Sequence, residues 1–63
     1  MSELEVTALG MVVYRLNRYT GEGVLSISDY IERRAKREGK RSLDVAYEVE
    51  REAKTKPIDW TAE

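Results

Sequence analysis

The 63-residue sequence contains neither cysteine nor histidine. Without cysteine there are no disulfides and no thiolate metal sites. Without histidine the commonest metal ligand is missing, as is the only side chain whose unperturbed pKa lies near neutrality. No apolar run approaches the roughly 20 residues a membrane helix needs. The opening Met1-Ser2-Glu3-Leu4-Glu5 is acidic and lacks the basic stretch that begins a signal peptide. These absences set the first expectations: a soluble, cytoplasmic chain with no cofactor, no bound metal and no membrane partner.

What is present is short and highly charged. A chain of this length forms one domain at most, and its core is marginal unless something else supports it. With disulfides and thiolate zinc sites excluded, a second copy or a larger partner is the remaining support. Charged residues make up 37% of the chain and nearly cancel, leaving a net charge of -1. That balance argues against a dedicated nucleic-acid coat protein. The charge is nevertheless segregated. Residues 29–41 carry six basic and three acidic side chains, whereas residues 42–63 carry six acidic and three basic ones. The basic middle and the acidic end suit different partners, although solvated helix faces give the same pattern.

From Leu4 to Leu16 the even positions read Leu4, Val6, Ala8, Gly10, Val12, Tyr14 and Leu16. Alternation of this kind, rich in β-branched residues, predicts a half-buried strand with a bend at Gly10. Residues 17–21 then read as a hairpin loop closed by Gly21, and Val24 to Ile27 as the returning strand. A helix over residues 2–20 is the competing reading. Ser2 and Glu5 form a capping-box pair, Leu9, Val12, Val13 and Leu16 have helical spacing, and Gly21 suits a helix C-cap. Internal Gly10 and the β-branched residues weigh against the helix.

The second half is helical. Ser26 or Ser28 is the expected cap of a helix with Ile27, Tyr30, Ile31 and Ala35 inward, ending at Gly39. Ser42 is the expected cap of the next, with Val45, Ala46, Val49 and Ala53 inward, and Pro57 forbids its continuation. The expected fold is therefore α+β: an N-terminal β-hairpin, then two antiparallel helices as one domain over 1–56, then a short tail over 57–63. An all-α three-helix domain is the alternative.

Few groups here can carry chemistry. Asp44, Glu48 and Glu52 fall at four-residue steps along one helix, a row that also describes the exposed side of any amphipathic helix. Gly21 and Gly23 lack the following Lys-Ser/Thr of a phosphate loop. So small a chain does not readily wall off a dry cleft, so neither catalysis nor a small-molecule substrate is expected. Arg33, Arg34, Lys36, Arg37, Lys40 and Arg41 form the one concentration of cations that suits phosphate, diluted by Glu32 and Glu38.

Ala35-Lys36-Arg37-Glu38-Gly39-Lys40-Arg41-Ser42, followed by Val45, Ala46 and Val49, resembles the helix–turn–helix half of ribbon-helix-helix repressors and antitoxins. The likeness spans residues 24–54. It implies two intertwined chains whose paired strands enter the major groove of DNA. This sequence departs from the pattern: its first helix is about a turn short, and residues 24–28 hold no Arg, Lys, Asn or Gln to read bases. The tail resembles the toxin-binding tails of small antitoxins, with Ile58, Asp59 and Trp60 as a partner anchor; folding of Trp60 back onto the chain's own thin core is the alternative. The leading expectation is thus a non-catalytic regulatory or interaction module that binds a partner protein or itself as a homodimer, phage- or antitoxin-like in kind. The alternative is a homodimeric DNA-binding repressor that uses residues 33–41.

Overall fold

A computed structural model of the protein describes residues 2–62. It contains three α-helices: α1 over Glu3–Thr20, α2 over Val24–Glu38 and α3 over Ser42–Ala53. No strand occurs among the described residues. The expected α+β fold with an N-terminal hairpin is therefore wrong, and the all-helical alternative holds. Both expected strands lie inside helices, Leu4 to Leu16 in α1 and Val24 to Ile27 in α2.

The reason lies in what the alternation left out. The odd positions Leu9, Met11 and Val13 are as apolar as their even neighbours, so a strand would bury both faces, which a two-stranded hairpin cannot do. A helix instead turns Val12, Val13 and Leu16 onto one side, where all three are buried. The Ser2 hydroxyl accepts the Glu5 amide proton at 3.2 Å and caps the first turn. Gly21 ends the helix at φ 80°, its amide donating to the Asn17 carbonyl at 2.9 Å. Gly10 and the β-branched residues each cost the helix up to about 1 kcal/mol. Burying a side chain the size of Leu16 contributes about 1.5–3 kcal/mol, which outweighs them.

Two caps also differ from expectation. α2 starts at Val24, with Gly23 rather than Ser26 or Ser28 at its N-cap. Starting early lets Ile27, Tyr30, Ile31 and Ala35 fall on one buried stripe. α3 has Arg41 at its N-cap and Ser42 as its first residue. Gly23 has no side chain to cap α2, and that of Arg41 makes no capping bond to α3. Gly39 closes α2 at φ 66°, and the Lys40 amide reaches back to the Ala35 carbonyl at 2.9 Å.

Each helix packs against the other two. The core consists of Val12, Val13 and Leu16 of α1, the four α2 residues just named, and Val45, Ala46 and Val49 of α3. No helix among the described residues is long and apolar enough to cross a membrane.

Candidate interaction surfaces

The basic segment is built into the fold through ion pairs. Arg34 is the most enclosed of its cations, its side chain 13% exposed. It grips Glu52 of α3 with two hydrogen bonds, of 3.0 and 2.6 Å, donates to the Tyr30 hydroxyl, and also meets Glu38. These bonds raise the Arg34 pKa well above its usual value, and Arg34 holds the Glu52 carboxyl below the usual carboxylate range. Lys40 donates to both carboxylate oxygens of Glu48, which raises its pKa. Arg41 pairs with Glu5 of α1, and Arg33 with Asp29 one turn earlier. Arg37 lies 3.8 Å from Glu38. Lys36 has no ion pair among the described residues and is exposed. Sequence reasoning placed the six cations together. The structure spreads them over the C-terminal half of α2 and the turn that follows, and spends five of them on this chain's own carboxylates.

The acidic row is divided in the same way. Glu52 faces Arg34 and Glu48 faces Lys40. Among the described residues no cluster of three or more carboxylates is placed to hold a metal ion.

The tail folds back on the domain. Ile58 and Trp60 are half-buried against the core. The Trp60 ring meets Tyr30 edge to face, with centroids 5.3 Å apart and planes at 78°. Arg33 donates to the Trp60 carbonyl at 3.0 Å and to the Ala62 carbonyl at 3.1 Å. Asp59 is exposed and accepts from both the hydroxyl and the amide of Thr61, which lowers its pKa. An open groove of about 490 Å³ lies beside the tail, between Tyr19, Ala53 and Trp60, and its only charged lining residues are Lys54 and Lys56.

A third surface was not anticipated from the sequence. The outward side of α1 carries Leu4, Thr7, Met11 and Tyr14 at alternating steps of three and four, which places them in one row. Leu4 is 83% exposed, Met11 56% and Tyr14 57%. Gly10 lies beside the row, with nothing within 4 Å of where a Cβ would stand. Next to it, Val6, Leu9, Val13, Val24 and Ser28 line an apolar groove between α1 and α2. Val24 is 48% and Leu25 85% exposed at the start of α2. The signal was present in the sequence: residues 6–14 form an uncharged run of nine in a chain that is 37% charged. Read as a strand, the run hid its outward face. Set against protein-family models, curated proteins and solved structures, the chain matches none of them.

Proposed function

We propose that this chain is a non-catalytic interaction module of regulatory type, working in the cytoplasm, that docks a protein partner on the outer face of α1. One observation carries the reading: α1 is apolar on both sides. Its inner side builds the core through Val12, Val13 and Leu16, yet Leu4, Met11 and Tyr14 stand exposed opposite. A helix that is apolar all round belongs in an interior, and a large exposed apolar patch marks a contact surface. A non-catalytic role is supported by a side-chain set with no histidine or cysteine and by carboxylates that are matched to arginine or lysine. The DNA-binding alternative has less support, because five of the six cations in residues 33–41 already pair with carboxylates.

Photo-cross-linking in cells tests the reading. A photoreactive residue at position 11 is expected to capture protein, whereas the same residue at exposed position 36 captures none. Equal capture at both positions, or none at position 11, defeats the proposal.

A further inference from the structure

The outer row of α1 has a feature that selects its occupant. Glu3 stands at one end and Arg18 at the other, with Arg15 beside it turned to Glu50 of α3; between them Leu4, Thr7, Ala8, Gly10, Met11 and Tyr14 carry no charge. Glu3 and Arg18 enter no ion pair among the described residues. Arg18 lies along the Tyr14 ring, 5.8 Å from its centroid, and donates to the Tyr14 hydroxyl. The face is thus acidic, then apolar, then basic along about 24 Å of helix.

Such a face is complementary to itself when reversed. We propose that its occupant is a second copy of this chain, docked with the two α1 helices antiparallel and related by a two-fold axis near residues 8–10. A two-fold contact uses the same patch on both copies, as a self-complementary face requires. The steps of three and four are those of a helix–helix seam, in which apolar side chains of one helix sit between those of the other. Reversal sets Leu4 against Tyr14 of the second copy and Thr7 against its Met11. It brings Glu3 to the end where the second copy's Arg18 lies. Parallel docking instead sets Glu3 beside Glu3 and arginine beside arginine, which repel. Gly10 flanks the crossing, where a missing side chain lets two helices approach closely. The groove lined by Val6 and Val24 flanks the seam and widens the contact.

This inference rests on the docking reading above, and the experiment separates the two. The natural chain has no cysteine, so single cysteines report cleanly. Thr7→Cys and Met11→Cys chains, differently tagged, are purified, mixed and oxidised. The mixed disulfide between positions 7 and 11 is expected to exceed either same-site disulfide severalfold. The cysteine-free chain is expected to sediment at twice its monomer mass at high micromolar concentration. Met11→Asp is expected to sediment as a monomer with an unchanged helical circular dichroism spectrum. Predominance of the 11–11 disulfide overturns the antiparallel arrangement. A wild-type monomer at all these concentrations overturns self-docking. If that monomer still captures a different protein from position 11 in cells, the docking reading stands and only the second copy is excluded; if it captures nothing, both fall.

Discussion

The Arg34 guanidinium joins α2 to α3 by gripping Glu52, and its Tyr30 contact brings the aromatic pair with Trp60 into the same cluster. Arg15 does similar work between α1 and α3, holding Glu50 at 2.7 and 3.1 Å and its carboxyl below the usual range. Such bidentate pairs are stronger than single contacts, but solvent screens these two because neither is fully enclosed. Glu52→Gln is therefore expected to cost about 1 kcal/mol at neutral pH. In a domain this small that lowers the melting temperature by about 4–8 °C. The sign with pH follows from the lowered Glu52 pKa. The pair stabilises fully above the ordinary glutamate pKa, and its contribution fades as pH falls through the folded-state value. Thermal melts across the acid range should show wild type and variant converging at low pH. A gap of constant size would mean that the charge of Glu52 contributes nothing.

At the scale of elements, α1 and α2 are closed by glycine at their C-termini, whereas α1 alone has a side-chain bond at its N-cap. Gly21 and Gly39 sit at φ 80° and 66°, in the left-handed region that a Cβ disfavours. Gly39→Ala is expected to destabilise by about 1–2 kcal/mol for that reason. Gly10 is the opposite case, since it lies in mid-helix with open space around its missing side chain. Gly10→Ala is expected to raise the stability of the monomer by up to about 1 kcal/mol through helix propensity. Denaturant titration at low protein concentration compares the two. Destabilisation by both would mean that the outer side of α1 is occupied even in the dilute protein.

Over the whole molecule, the radius of gyration is 10.7 Å, close to the roughly 10.6 Å expected for a compact chain of this length. Part of that compactness comes from the tail, whose last residues return to Tyr30 and Arg33 near the middle of the chain. Trp60→Ala removes the edge-to-face pair and part of the cover over Tyr30. The expected loss is about 2 kcal/mol, less than a fully buried tryptophan would give. Wild-type tryptophan emission should be blue-shifted relative to the unfolded chain and lie partly out of reach of a soluble quencher. An unchanged melting point in the variant, with emission like that of the unfolded chain, would show that the tail does not rest on the core in solution.

Local signals in the sequence were enough to determine the bodies of α2 and α3 and their inward faces, but not the first turn of α2, where Val24 to Ile27 read as a strand, nor either N-cap. Ile27, Tyr30, Ile31 and Ala35, then Val45, Ala46 and Val49, have helical spacing that permits one buried stripe each, and Gly39 and Pro57 act through the backbone alone. The sequence also held the concentration of cations in residues 33–41, but not their pairing, since Glu5, Glu48 and Glu52 reach those cations only once three helices meet. The first twenty residues were decided by tertiary structure. Their apolar residues satisfy both a two-residue and a helical period, so local pattern leaves the choice open. Packing against α2 and α3 closes it, because only a helix buries Val12, Val13 and Leu16 together while the Ser2 and Gly21 caps satisfy its ends. That same choice turned Leu4, Met11 and Tyr14 outward, so the candidate docking face is a consequence of the fold and has no counterpart in the strand reading.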